Sequence, residues 1–274
     1  MKRLLVLACT VLAVAGCGGS QPSAGAEATV VAAFYPLAWA AEQIGGDGVE
    51  VVNLTQAGVE PHDLELSPRD VETIRDADLV IYAGGGFQPA VEDAVAERDG
   101  ASLDVLGDER DPHVWLDPVR FSRVATAIGR ALRREAAATE LAGELEQLDG
   151  TLRAGLESCS RRTLVTTHAA FGRLAARYGL IELSLAGRSP EAEPSPRELE
   201  RLIANVRASD ATTVFSEPLG SSRLAETVAR EAGADVAVLD PVEGLSEERL
   251  AAGEDYISVM EANLVTLRKA LGCR

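Results

Sequence analysis

Two runs of alternating β-rich and helical segments flank a long stretch with no strand pattern. They predict an α/β protein with two parallel-sheet lobes, helices on both faces, joined by one long rigid helix. In the first run, Thr29-Val30-Val31-Ala32-Ala33-Phe34 reads as a strand and Pro36 to Ile44 as a helix. Val49-Glu50-Val51-Val52-Asn53-Leu54 is a second strand, and Asp70 to Arg75 is helical. Ala77-Asp78-Leu79-Val80-Ile81-Tyr82 is a buried strand ending at Gly84-Gly85-Gly86. Strands interleaved with helices make crossover connections, so they pair in parallel and are covered on both sides.

The stretch from about Phe121 to Arg162 carries no strand pattern. Within it Leu141, Leu145, Leu148, Leu152 and Leu156 step by 4, 3, 4 and 4, a single apolar stripe on a helix. The same stripe would suit a surface helix of one domain, but its position between the two alternating runs makes it a spacer. The second run follows: strands at Thr163-Leu164-Val165-Thr166-Thr167, Thr212-Thr213-Val214-Phe215 and Asp235-Val236-Ala237-Val238-Leu239. Helices are predicted over Ala169 to Tyr178, Pro196 to Ala208 and Ser222 to Glu231. A last helix shows Leu250, Ile257, Met260, Leu264, Leu267 and Leu271 on one face.

The 274 residues are 46% hydrophobic and 25% charged, enough to bury a sizeable core. The net charge of -17 repels phosphate backbones and anionic headgroups, which excludes a nucleic-acid partner and a polybasic mode of membrane binding.

Lys2 and Arg3 precede an apolar run from Leu4 to Ala15. That run falls short of the about 20 residues needed to span a bilayer, and reads as a signal peptide over residues 1–16. It ends in Val14-Ala15-Gly16-Cys17, which resembles a bacterial lipobox. The resemblance implies cleavage before Cys17, a lipid on its thiol, and residues 17–28 as a flexible tether holding the protein outside the cytoplasmic membrane. An ordinary secreted protein with a cysteine in its signal is the alternative. Cys159 and Cys273 remain once Cys9 and Cys17 are assigned. In an oxidising compartment they are expected to bridge, closing a loop worth about 4–5 kcal/mol of chain entropy, the alternative being two unpaired thiols. Two distant cysteines without a CxxC make a thiolate zinc site a poor reading.

The chain has three histidines. His62 stands in Gly58-Val59-Glu60-Pro61-His62-Asp63 after the second strand, and His113 in Asp111-Pro112-His113-Val114-Trp115-Leu116-Asp117-Pro118. His168 directly follows the strand ending at Thr167, and Asp240 caps the strand ending at Leu239. A single imidazole is well explained as a hydrogen-bonded core residue. Three of them, all in turns or at strand ends and none on an apolar helix face, point instead to one site. Open parallel sheets bind ligands beyond their carboxyl ends, so a cation in the cleft between lobes would use His62, His113, His168 and Asp240. Three imidazoles and a carboxylate suit tetrahedral zinc and bind best above about pH 6.5, where imidazole is neutral. Asp240 is the weakest of the four, because Asp-Pro also starts turns.

Pro61-His62-Asp63-Leu64-Glu65-Leu66-Ser67-Pro68, Asp111 to Pro118 and Thr167-His168-Ala169-Ala170-Phe171-Gly172 resemble the zinc- and manganese-binding solute receptors of bacterial ABC importers. Gly187 to Pro196 and Leu239-Asp240-Pro241-Val242-Glu243-Gly244-Leu245 extend the resemblance over the mature chain. It implies two α/β lobes bridged by one rigid helix, with His62, His113, His168 and Asp240 as metal ligands. It also implies delivery of the ion to an ABC importer permease by a monomeric receptor. The boundaries that follow are a lobe over 29–136, a linker helix over 137–159 and a second lobe over 160–274.

Manganese receptors of that family tend to carry Glu where His168 stands; a third imidazole favours Zn2+ over Mn2+. Residues 64–112 contain no histidine, unlike the His-rich loop of many zinc receptors. Glu60 and Glu217 lie close enough to the motifs to replace Asp240 or to hydrogen-bond a ligand, although Glu217 also suits a helix cap. The sequence has no HExxH or G-x-S-x-G and no general base beside a ligand, so an enzyme such as a zinc hydrolase is not expected. Gly84-Gly85-Gly86 lacks the Lys-Ser/Thr of a phosphate loop and reads as a tight turn. A surface adhesin is compatible with the anchor, but no motif specifies one.

Overall fold

The computed structural model describes residues 27–107, 109–187 and 194–274. Cys17 with its lipobox, and residues 188–193 of the Gly187 to Pro196 motif, lie outside the described residues.

The first sheet contains β1 (Ala28–Ala32), β2 (Val49–Asn53), β3 (Leu79–Tyr82) and β4 (Ala101–Asp104), in spatial order β2-β1-β3-β4. The second contains β5 (Thr163–Thr166), β6 (Ile181–Ser184), β7 (Thr213–Ser216) and β8 (Asp235–Val238), in the equivalent order β6-β5-β7-β8. Every pairing is parallel, as the crossover helices require. β1 takes in Ala28, paired with Val49, a residue the sequence reading placed in the tether.

The first lobe carries α1 (Tyr35–Gly45), α2 (Pro68–Asp76), α3 (Pro89–Ala96) and α4 (Pro118–Leu132). Each has a proline in its first turn, where the missing N–H costs nothing and the fixed φ suits the helix. α5 (Glu135–Leu156) then runs for 22 residues with Leu141, Leu145, Leu148, Leu152 and Leu156 all buried, as the stripe predicts. α6 (Gly172–Tyr178), α7 (Pro196–Ala208) and α8 (Arg223–Ala232) belong to the second lobe. The final predicted helix is two: α9 (Glu247–Ala251) and α10 (Tyr256–Leu271). Gly253, with φ of 82°, breaks them in a conformation that side chains rarely adopt, and Asp255 restarts the chain with a capping box to Ser258.

α10 packs along α5, so two helices run between the lobes. A Cβ at Gly155 would lie 2.8 Å from Leu264 Cδ1, and the missing side chain is what lets the two helices approach. At its start α10 reaches the first lobe. Tyr256 lies 4.9 Å from the Trp39 ring and 4.8 Å from that of Phe121, and its hydroxyl donates to the Trp115 carbonyl. A single apolar core therefore continues from β1 and β3 through α4, α5 and α10 to Phe171 and Leu174 of the second lobe. A smaller one, with Val165, Val214, Val206 and Val228, fills the space between the second sheet, α7 and α8. Cys159 and Cys273 form the expected disulfide, closing a separation of 114 residues and tying the end of α10 to the end of α5.

Leu145, fully buried at the centre of α5, tests this shared core. Leu145→Ala should destabilise the metal-free protein by about 2–5 kcal/mol, read as a lower urea midpoint with an unchanged slope.

Candidate metal centre

Short turns and loops carry the site residues into the cleft. His62 sits in a short 3-10 turn, Pro61–Asp63, whose start is capped by Glu60: its Oε1 accepts the His62 backbone N–H at 3.2 Å. The His62 ring stands edge-on against Phe87, with centroids 4.4 Å apart. His113 lies between Pro112 and the short turn Val114–Leu116, against the Trp115 ring, and is fully buried. His168 follows β5 and is equally buried. Glu243 comes from the loop after β8 and is 1% exposed.

These four side chains point at one spot. Each offers one donor atom, and the four atoms all lie within 4.8 Å of one another. Glu243 Oε1 is 3.2 Å from His113 Nε2, 3.6 Å from His62 Nε2 and 3.8 Å from His168 Nε2. A tetrahedral zinc with bonds of about 2.0–2.1 Å sets its donors roughly 3.3–3.5 Å apart, so the spacing fits with small adjustments. The three Nε2 atoms and both Glu243 oxygens are buried without a hydrogen-bond partner. Buried polar atoms left in that state cost about 1–3 kcal/mol each, and a central cation would satisfy all of them at once. Four protein donors complete a tetrahedron and leave no corner for a reacting water.

Two of the imidazoles are oriented from behind. Asp111 Oδ1 lies 2.9 Å from His113 Nδ1, and Glu217 Oε1 lies 2.7 Å from His168 Nδ1. With Nδ1 donating to a carboxylate, Nε2 turns its lone pair to the centre. Glu217 also accepts from the Thr167 hydroxyl, so it is a partner of His168 and not a helix cap. Arg173 of α6 crosses from the second lobe to the Asp111 carbonyl at 3.0 Å and to Glu109 Oε2 at 2.6 Å. Glu60 lies at the edge of the group, 4.0 Å from His62 Nε2.

Of the ligands expected from sequence, His62, His113 and His168 come together and Asp240 does not join them. Asp240 Oδ2 accepts from Arg249 Nη1 of α9 at 2.6 Å and Oδ1 accepts the Val242 N–H of its own turn at 2.7 Å, so both oxygens are occupied. Glu243, three residues on, takes its place. The Asp-Pro signature of a turn start was the available hint that Asp240 would serve the backbone. The glycine run Gly84-Gly85-Gly86 is also accounted for locally: Asp104 accepts the Gly84 N–H at 2.9 Å and Glu92 the Gly86 N–H at 2.7 Å.

The electrostatics follow from burial among opposite charges. Burial pulls His168 towards neutrality, but Glu217 and Glu243 outweigh it and hold the imidazole up at about 10. His113 is raised in the same way against its burial, by Asp111 and Glu243. Burial would raise Glu243, yet the three imidazoles hold it well below the usual carboxylate range. Glu60, desolvated and beside Glu243, is pushed up to about 8. Without metal, His168 carries a proton at neutral pH, and a cation must displace it. Calorimetry at pH 7 in two buffers of different ionisation enthalpy should show proton release on zinc binding. The apparent affinity should fall by about tenfold per pH unit for each displaced proton, through neutral pH and below it, instead of only below 6.5. An equal heat in both buffers would contradict this account.

A family model described as ZnuA, zinc-uptake complex component A, periplasmic, matches residues 30–270. The zinc-binding lipoprotein AdcA of Streptococcus pneumoniae (strain ATCC BAA-255 / R6) is 34% identical over 304 residues, covering 98% of this chain and 60% of that protein. The chain thus spans about 60% of the length of the AdcA relative. The high-affinity zinc uptake system protein ZnuA of Bacillus subtilis (strain 168) is 32% identical, with 98% of this chain and 97% of that protein covered. Among solved structures, the Zn(II)-bound ZnuA-like domain of Streptococcus pneumoniae AdcA superposes with a TM-score of 0.76 at 35% identity, over 89% of this chain and 99% of that one. The laminin-binding protein Lmb of Streptococcus agalactiae, an adhesin with metal transporting activity, gives 0.81 at 30% identity, over 89% and 99%.

Proposed function

We propose that this chain, which belongs to the ZnuA family of zinc-uptake components, captures a single zinc ion outside the cytoplasmic membrane and hands it to an ABC importer permease. The observation that carries the reading is the buried set of three imidazole Nε2 atoms and one carboxylate, all unpartnered and directed at a common centre. Zinc is the cargo of this site and His62, His113, His168 and Glu243 are its ligands, with Asp111 and Glu217 fixing the orientation of two of them. Three nitrogens and one oxygen favour zinc over manganese, which suits a site richer in hard oxygen donors.

Residues 1–16 serve as the signal peptide, Cys17 carries the lipid, and the receptor acts as a monomer, as a lobe over 29–136, a linker over 137–159 and a lobe over 160–274. None of the described helices is long and apolar enough to cross a membrane. The role is binding and delivery without catalysis.

Titration calorimetry on metal-stripped protein should give one zinc per chain. Glu243→Gln, which keeps the shape and removes the charge, should lower the affinity by about tenfold or more. Absence of zinc heat from the wild-type protein would overturn the reading. His168→Glu should shift the preference towards manganese in competition titrations, since it replaces a nitrogen with a harder oxygen. An unchanged preference would mean that His168 is not the discriminating ligand.

A further inference from the structure

The turn that carries Glu243 is held by more contacts than a loop needs. Asn263, on α10, brackets the backbone of Asp240: its Oδ1 accepts the Asp240 N–H at 2.9 Å and its Nδ2 donates to the Asp240 carbonyl at 2.7 Å. The Asp240 carboxylate accepts the Val242 N–H through one oxygen and Arg249 through the other. Arg249 is itself anchored, its Nε donating to Glu254 Oε2 at 2.9 Å. From the first lobe, the Trp115 indole N–H donates to the Pro241 carbonyl at 2.7 Å.

These contacts fix the backbone that leads into a strained residue. Val242 has φ of 58°, the left-handed region, and is fully buried. For a β-branched side chain that conformation is rare and persists only where the surroundings impose it. Glu243, immediately after it, has no hydrogen bond at either oxygen. The grip therefore ends one residue before the ligand and leaves the carboxylate free for the cation. Were Val242 to relax to negative φ, the following peptide would turn and carry the Glu243 carboxylate away from the three imidazoles.

We propose that Asp240 is a positioning residue of the metal site. Together with Arg249 and Asn263 it imposes the left-handed turn at Val242 that aims Glu243, and so sets how long the cation stays. The proposal rests on the zinc-capture reading above and adds a role for Asp240, which acts through Glu243 and does not touch the ion.

The test is zinc dissociation into excess chelator, followed by stopped flow on the full chain, for Asp240→Ala, Glu243→Gln and the double variant. Asp240→Ala should release zinc roughly 10- to 100-fold faster, the usual effect of removing a group that orients a ligand. In the Glu243→Gln background the same change should add less than about twofold, because the group it positions no longer ligates as a carboxylate. Adding Val242→Gly to Asp240→Ala should recover part of the loss, since glycine adopts positive φ without strain. Independent, additive effects of Asp240→Ala and Glu243→Gln would overturn the proposal, as would an unchanged rate in Asp240→Ala. If Asp240→Ala does not fold, as judged by thermal melting without metal, Asp240→Asn and Arg249→Lys carry the same cycle with Glu243→Gln. Failure of the zinc reading is separable, because His113→Ala would then leave zinc binding unchanged whatever the Asp240 variants do.

Discussion

A carboxylate buried among three imidazoles, with no hydrogen bond to any of them, is the constraint around which the cleft is built. Glu243 is 1% exposed, and His113 and His168 are fully buried. Charges in such a place must be compensated locally, because water cannot reach them. Without metal, part of the compensation comes from a proton on His168, held there by Glu217 and Glu243, and the carboxylates Asp111 and Glu243 raise His113 in the same direction. A divalent cation displaces that proton and takes over the compensation at the centre of the group.

The two sheets deliver the ligands by the same device. Each has its first strand beside its third, β1 beside β3 and β5 beside β7, so the connections leave in opposite directions at that point. The carboxyl ends of strands flanking such a reversal form the crevice in which open sheets bind ligands. His168 and Glu217 follow β5 and β7, and meet across it at 2.7 Å. Glu243 follows the adjacent β8, while the first lobe brings His62 after β2 and His113 ahead of α4. Phe34, Phe87 and Trp115 pack beneath the two first-lobe imidazoles, a rigid apolar floor that keeps their rings from turning.

What was legible in the sequence tracks how each residue is used. Buried strands such as Leu79-Val80-Ile81 stand out as apolar runs, and the α5 stripe as a leucine period. β4 and β6 do not: both lie at sheet edges, with Ala101 and Ser102 exposed and Ile181 63% exposed, and unlike the edge strands β2 and β8 they carry no pair of valines to mark them. The break between α9 and α10 hides within a continuous apolar pattern and depends on Gly253 alone. At the site the histidines were legible because there are so few of them and each stands in a turn. The acidic ligand was not, since acids are common here and the choice between Asp240 and Glu243 depends on Arg249 and Val242. Arg249 is nine residues from Asp240, and only the fold sets it against that carboxylate.

The shared core bears on how the cleft opens. Lobes hinged on a single helix separate cheaply, because little but the hinge is strained. Here Tyr256 of α10 is packed against Trp39 and Phe121 of the first lobe, and Leu264 fills the space over Gly155. Trp115 reaches across to the Pro241 carbonyl, so the loop carrying Glu243 is fastened to the loop carrying His113. Moving whole lobes apart exposes these large buried rings and breaks that bond, at about 25 cal/mol for each Å2 of apolar surface uncovered. Turning Glu243 out about the strained backbone of Val242 exposes almost none of them and relieves a conformation that valine resists. Rotation of Glu243 about the Val242 φ, with the contacts at Asp240, Pro241 and the Val242 N–H kept, therefore uncovers less apolar surface than parting the lobes does.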